Sequence, residues 1–412
     1  MVKVNEGFRQ LPESYLFSEV GHRVAAYRSA HPDADIIRMD IGDVSRPLSR
    51  LVAATLCDAA AGMSTPEGFH GYGPEQGYDF LREAIAQGDY RRHGISIAAD
   101  EIFVSDGAKC DLAGLGDILS EDCRVAVPDP AYPVYVDDNV LQGRGGGYRD
   151  GRWSRLIYLN ADPRDGFMAP LPEGDAPDVI MMCYPNNPTG TSISFQRLQQ
   201  WVDYARSHGS LIIYDSAYEA YVRTPGMVRS VYEAEGAREV AIEVRSYSKT
   251  AGFTGLRCGY TVVPSDLTGR YADGCKVRLR DLWLRRQTTM FNGASYLSQK
   301  GAAVLYTEEG EREVRRSTDY YLRNAGLIRE SLLKAGFRVS GGVDSPYVWT
   351  SLDGEDDSWS LFDKVLDLCH ISTTPGEGFG RNGRGFLRLT GFNTFENTLT
   401  AMTRLVDALG KH

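Results

Sequence analysis

The chain has 412 residues, 42% of them hydrophobic, and its 45 basic against 55 acidic side chains leave a net charge of -10. That length and apolar content suit a large core or more than one domain. The lack of any long run of like charge argues against a nucleic-acid or membrane surface, so small-molecule partners are expected.

Polar Met1-Val2-Lys3-Val4-Asn5-Glu6 opens the chain in place of an apolar signal core. No apolar run nears the roughly 20 residues of a membrane helix, and the expected location is the cytoplasm. Cys57, Cys110, Cys123, Cys183, Cys258, Cys275 and Cys369 are odd in number and never spaced C-x-x-C. Reduced, mostly structural thiols are expected, and with no metal-ligand spacing among the histidines no metal is. His370, after an apolar stretch, reads as a packed or capping residue.

In chain order, apolar Ile102-Phe103-Val104 leads into Ser105-Asp106-Gly107-Ala108-Lys109 and a helical stretch over 110–119. Amides at a helix N-terminus lack intrahelical partners and carry partial positive charge, so Ala108 and Lys109 are phosphate-binding candidates. A strand over 124–128 precedes Ala131-Tyr132-Pro133, where the ring of Tyr132 can stack on a planar ligand. Gly143-Arg144-Gly145-Gly146-Gly147 has the composition of a phosphate loop, but no strand enters it and no helix follows; a surface turn is expected.

Strands over 178–183 and 210–215 alternate with a helix over 195–208, the α/β pattern of a doubly wound, mostly parallel sheet. In Tyr184-Pro185-Asn186-Asn187-Pro188-Thr189-Gly190 two prolines bracket a rigid turn, which frees the Asn187 amide for a ring oxygen or a carboxylate. The strand over 210–215 ends in Asp215, and in such sheets ligands sit beyond the carboxyl ends of strands. A carboxylate there can keep a pyridine nitrogen protonated and make the ring an electron sink. A helix cap or turn aspartate is the plain alternative. Tyr218 can reach the same ring, or be a core tyrosine.

Ser246-Tyr247-Ser248-Lys249 then places a lysine among hydroxyls, with Arg257 close behind. A lysine amine condenses with a carbonyl to a Schiff base, while Ser246, Ser248 and Arg257 can hold a phosphate dianion. Pyridoxal phosphate has both ends. Further on, a helix is expected over 315–335, and apolar Gly385-Phe386-Leu387-Arg388-Leu389-Thr390 buries an arginine, which is unfavourable unless an anion meets it. That anion is a substrate α-carboxylate or a structural partner.

The N-N-P-T-G, D-x-A-Y and S-x-S-K...R blocks occur in the order found in fold-type I pyridoxal-phosphate aminotransferases, which the chain resembles nearly end to end. More narrowly it is similar to the LL-diaminopimelate aminotransferases through Ser14-Tyr15-Leu16-Phe17, Ile41-Gly42-Asp43, Gly71-Tyr72-Gly73-Pro74-Glu75-Gln76-Gly77, Ser105 to Asp111, Asp129 to Asp137 and Arg285-Arg286-Gln287-Thr288-Thr289. The resemblance implies a large cofactor-binding domain over 45–289 and a smaller one built from 1–44 and 290–412. It also implies ping-pong transamination with Lys249 as general acid and base, aided by Asp215 and Tyr218. Tyr72, Ala108, Lys109, Tyr132, Asn187, Ser246, Ser248 and Arg257 would complete the cofactor site. Substrate would meet Tyr15, Gly42, Glu75, Lys109, Tyr132, Asn187, Asn292 and Arg388, with Tyr72, Glu75 and Asn292 supplied by the neighbouring subunit of a homodimer.

The implied reaction takes an amino group from glutamate to tetrahydrodipicolinate, giving LL-2,6-diaminopimelate and 2-oxoglutarate. Two departures from the family pattern, Arg46 and Glu377, would retune the pocket toward lysine or another amino acid if they faced it. A lyase or decarboxylase would share Lys249, Asp215 and Arg257, since substrate orientation decides which Cα bond breaks.

Overall fold

The computed structural model describes residues 1–11, 15–352 and 357–410; Ser14 of the Ser14 to Phe17 block lies outside them. Seven strands form the main sheet: β1 (Ile102–Ser105), β2 (Val125–Asp129), β3 (Leu156–Asn160), β4 (Val179–Cys183), β5 (Leu211–Asp215), β6 (Ala241–Ser246) and β7 (Gly259–Val262). Their spatial order is β1-β7-β6-β5-β4-β2-β3, with β7 antiparallel to both neighbours and the others parallel.

Strand side chains alternate between two clusters, as a period of two requires. Ile180, Met182, Ile212, Tyr214 and Ala241 enter one core, while Val179, Met181, Ile213, Ile242 and Val244 enter the other. Both faces are covered, which is why these strands read as unbroken apolar runs. The helix Phe195–His208 lies against the first core through Leu198, Trp201, Val202 and Ala205. Ser194 caps its start by accepting from the Arg197 amide, and Gly209, at φ 69°, ends it.

A second sheet of four strands (Arg338–Gly341, Tyr347–Ser351, Phe386–Thr390 and Thr374–Pro375, in that spatial order) is antiparallel. Leu16, Val20 and Val24 of the helix Leu16–Ala30 join its core, and Ile37–Arg38 pairs with Ile371–Ser372. Both ends of the chain thus pack together.

Several elements differ from the sequence expectation. The long helix is Glu308–Lys334, starting before 315 because Thr307 caps it and Glu308, Glu309 and Glu311 favour the positive helix start. The helix after β1 is Ala108–Leu115, followed by a single 3-10 turn.

The glycine-rich loop is not a surface turn at its arginine: Arg144 is 1% exposed. Its Nε donates to Asn139 Oδ1 at 2.7 Å and its Nη1 to the Gly116 and Ser120 carbonyls at 3.4 and 3.3 Å. Each of these carbonyls also accepts a backbone amide, from Leu119 and Cys123, and its second lone pair is free to take the guanidinium, which ties the two turns to the loop.

His370 caps the helix Ser358–Cys369 in a left-handed conformation. All seven cysteines are free thiols; Cys183, Cys258 and Cys369 are buried, Cys123 is half-buried, and Cys57, Cys110 and Cys275 are exposed. Among the described residues no helix is long and apolar enough to cross a membrane.

Candidate functional site

Sheet register brings the chemistry together. Cys183 pairs with Asp215 and Asp215 with Val244, two residues before Ser246, while Gly259 lies between Ser246 and Ser105. The carboxyl ends of β1, β4, β5 and β6 therefore share one edge, where a cavity of about 620 Å³ is lined by Lys249, Asp215, Arg257 and Arg388 among others.

One end is an anion cradle. Gly107, at φ 132°, adopts a backbone that L side chains avoid, and a Cβ there would come within 2.4 Å of Arg257 Nη2. At Gly259 a Cβ would meet the Arg245 carbonyl at 2.7 Å and Gly107 Cα at 3.0 Å. Both glycines are needed for the helix start at Ala108, the strand edge and the guanidinium to converge. Arg257 Nη1 donates to Ser248 Oγ at 3.3 Å, and Ser246 Oγ caps the turn Tyr247–Thr250 that carries Lys249.

Lys249 is held by its carbonyl, which accepts from Tyr221 Oη at 2.8 Å. Burial, with help from Arg388 and Arg257, lowers its ammonium pKa to about 8, and Asp43 opposes the shift. Asp215, 5% exposed, accepts from Tyr135 Oη at 2.7 Å and from the Ala217 amide at 3.0 Å. Burial nevertheless raises its pKa to about 6, since no cation pairs with it among the described residues. It closes a turn without capping an α-helix.

Arg388 is 1% exposed. It donates to Asn187 Oδ1 at 2.8 Å, to the Asp40 carbonyl at 3.0 Å and to Thr374 Oγ1 at 3.4 Å, and its Nε has no partner among the described residues. No carboxylate faces it among the described residues, so the structural ion pair is not formed. Because Asn187 accepts from Arg388, its NH2 is left to donate. Gly42 borders the same guanidinium: a Cβ there would be 3.8 Å from Nη2. Tyr218, fully buried, lies 2.8 Å from Tyr347 Oη.

Tyr132 lines the cavity, edge-on to Tyr135, and its phenol pairs with that of Tyr15. Lys109 Nζ stands 5.3 Å from the Tyr15 ring centroid. Burial raises the pKa values of Asp137 and Asp138 to about 6 and about 7, and the charge of this lysine opposes both shifts.

Tyr72, Glu75 and Asn292 do not line the cavity. Tyr72 is 91% exposed and borders, with Asn292, a separate hollow of about 300 Å³. Glu75 adjoins it, the chain at Pro74 and Glu75 packing on Gly293. Nor do the two departures reach Lys249: Arg46 stacks 4.7 Å from the Tyr320 ring centroid and Glu377 stands 3.6 Å from Arg384.

Sequence reasoning assigned no role to Tyr135 or Tyr347. Tyr135 had a signal, standing three residues after Tyr132, whose carbonyl accepts the Tyr135 amide at 3.1 Å just before the helix Val134–Leu141. Tyr347 had none, since nothing local distinguishes it from a core tyrosine.

Residues 34–405 match the aminotransferase class I and II family. The chain is 49% identical over 405 residues to an LL-diaminopimelate aminotransferase of Methanosphaera stadtmanae, covering 98% of each. Its structure is similar to an L,L-diaminopimelate aminotransferase from Chlamydomonas reinhardtii, with a TM-score of 0.93, 42% identity and 99% of both chains covered. An aspartate aminotransferase from Thermotoga maritima shares the fold alone, at a TM-score of 0.82 and 21% identity over 98% of this chain and 99% of that one.

Proposed function

The chain belongs to the aminotransferase class I and II family, and from that premise we propose that it is an LL-diaminopimelate aminotransferase. It exchanges an amino group between glutamate and tetrahydrodipicolinate, forming LL-2,6-diaminopimelate and 2-oxoglutarate. The observation that carries the reaction class is the cavity in which Lys249 stands between an anion cradle and a buried arginine that meets no carboxylate. Likeness to two diaminopimelate aminotransferases over nearly the whole chain supports the substrate.

The residues present fit pyridoxal 5′-phosphate. Arg257, Ser246, Ser248 and the amides of Ala108 and Lys109 would hold its phosphate, joined by Tyr72 of a neighbouring copy. Asp215, an acid buried without a cation, would gain one from the protonated pyridine nitrogen. Tyr218 and the Asn187 NH2 would donate to the ring oxygen O3′, and Tyr132 would stack on the ring face. When bound, the cofactor supplies an electron-withdrawing ring that spreads negative charge from the substrate Cα.

The chain does the rest. Arg388 grips the α-carboxylate with a two-pronged guanidinium and Asn187 supports it, so that carboxylate is retained and the Cα proton is the group removed. Lys249 is the attachment point and the proton carrier, general base at Cα and general acid afterwards. Its pKa near 8 leaves a useful uncharged fraction in weakly alkaline solution.

Side-chain choice falls to the far end. Lys109 and Asn292 would bind a distal carboxylate and Glu75 a distal ammonium, beside Tyr15 and Gly42, holding a zwitterionic tail from both sides. Glu75, Tyr72 and Asn292 stand outside this chain's own cavity, which favours a homodimer with shared sites. In this reading 45–289 forms the larger domain and 1–44 with 290–412 the smaller; the packing of the helix Leu16–Ala30 into the C-terminal core supports that division. Neither Arg46 nor Glu377 lines the cavity, so neither favours the lysine alternative.

The test is a panel of amino donors with 2-oxoglutarate: LL-diaminopimelate, meso-diaminopimelate, lysine, ornithine and aspartate. LL-Diaminopimelate is expected to give the highest kcat/KM. A preference for lysine would overturn the substrate and leave the class standing.

A further inference from the structure

Tyr347 joins the two ends of the site. It opens the strand Tyr347–Ser351, paired to Phe386–Thr390 so that Trp349 lies opposite Arg388. Two residues from Trp349, Tyr347 is the diagonal neighbour of Arg388 on the same face. Its ring centroid lies 4.5 Å from the Arg388 guanidinium carbon, with both residues 1% exposed. Its hydroxyl lies 2.8 Å from that of Tyr218, and the two rings meet edge-on at 5.1 Å.

A phenol has one proton and two lone pairs. If Tyr218 gave its proton to Tyr347, none would remain for a ligand oxygen in the cavity. The reverse direction lets Tyr218 accept from Tyr347 and aim its own proton outward. Room for the Tyr347 hydroxyl depends on Gly42, where a Cβ would stand 3.3 Å from it. The Tyr347 backbone is fixed by its amide, which donates to Ser345 Oγ at 3.2 Å.

We infer that Tyr347 is a positioning residue with two separable parts: its ring backs the carboxylate-binding Arg388, and its hydroxyl donates to Tyr218 so that Tyr218 donates to the cofactor's O3′. The inference rests on the cofactor reading above. A donor on O3′ stabilises negative charge on that oxygen, which lowers the pH at which the bound cofactor gives up a neighbouring proton. The charged and titratable groups around the two phenols are Arg388, Asp215, Cys183, Tyr132 and Tyr221.

The experiment titrates the absorption band of the cofactor-loaded protein against pH, and separately measures KM for glutamate. With Tyr347→Phe the ring stays and only the hydroxyl goes, so the spectral midpoint should rise by about half a pH unit or more, with KM within roughly twofold of the parent. With Tyr347→Leu the midpoint should rise as far, and KM should increase roughly tenfold because the guanidinium loses the nearest of three rings and keeps only Phe379 and Phe17, at 5.0 and 5.2 Å. Circular dichroism and cofactor content identify a misfolded Leu variant, and Tyr347→Phe then decides alone. An unchanged midpoint in Tyr347→Phe overturns the hydroxyl's role, and equal KM values in the two variants overturn the ring's. A parent protein with no cofactor band would overturn the cofactor reading as well, which separates the two failures.

Discussion

Tyr135 donates to Asp215 across 2.7 Å, and the two residues are 1% and 5% exposed. Among the described residues the only other donor to this carboxylate is the Ala217 amide, so a buried acid is stabilised by two neutral groups and no charge. Folding alone has therefore made a place for a cation.

The first prediction concerns the cofactor-free protein. The folded pKa of Asp215, raised to about 6 by burial, exceeds the ordinary carboxylate value. A raised acid contributes fully below its unfolded pKa and loses that contribution as pH climbs through the folded one. Above pH 6.5 the ionised Asp215 thus destabilises the empty protein by an amount on the order of 3 kcal/mol. Asp215→Asn should unfold at higher temperature than the parent at pH 7.5, with the gap closing near pH 4. With cofactor bound the order should reverse. A gap independent of pH would count against the shift.

Lys249→Ala should bind cofactor without the absorption of the covalent link and lose about 10²- to 10⁴-fold or more in turnover, the usual contribution of a positioned proton carrier. For the parent, uptake of pyridoxal phosphate by the empty protein should accelerate with pH and level off above about 8, where the amine has lost its proton. Stopped-flow absorbance across pH 6 to 10 measures this. Retained turnover in the variant would refute the assignment.

Arg388→Lys keeps the charge but loses the fork that reaches Asn187, Asp40 and Thr374 at once. KM for every amino donor should rise by about 10²-fold, corresponding to a lost bidentate contact, while cofactor affinity changes little. Steady-state kinetics with glutamate and LL-diaminopimelate test the claim; a rise confined to one donor would argue for a side-chain role instead.

Glu75→Ala should lose activity with LL-diaminopimelate and retain cofactor affinity, because Glu75 lies outside its own chain's cavity. Mixing it with Lys249→Ala tests sharing directly. Random hybrids place both changes in one site and leave the other intact, so about a quarter of parental activity should return after subunit exchange in a homodimer. No recovery in verified hybrids would show that each site is built from one chain.

Local chemistry was enough to point at Lys249, Asp215 and Arg388. A lysine among hydroxyls, an acid ending an apolar strand and an arginine inside one are each unusual within a few residues of chain, and their order narrowed the family. The parallel strands were legible for the same reason, since burial on both faces leaves continuous apolar runs. The burial of Arg144 was not legible because two of its partners, the carbonyls of Gly116 and Ser120, stand 28 and 24 residues away, although Asn139 is local. Tyr135 and Tyr347 went without roles for the related reason that a phenol becomes specific only through what it touches. Asp215 lies 80 residues from Tyr135, and Tyr218 lies 129 from Tyr347. Sequence alone determined which groups could react, because side-chain chemistry is local. Tertiary structure decided which stand within hydrogen-bond reach, which are stripped of water and which face away from the cavity, because register and packing join residues far apart in the chain.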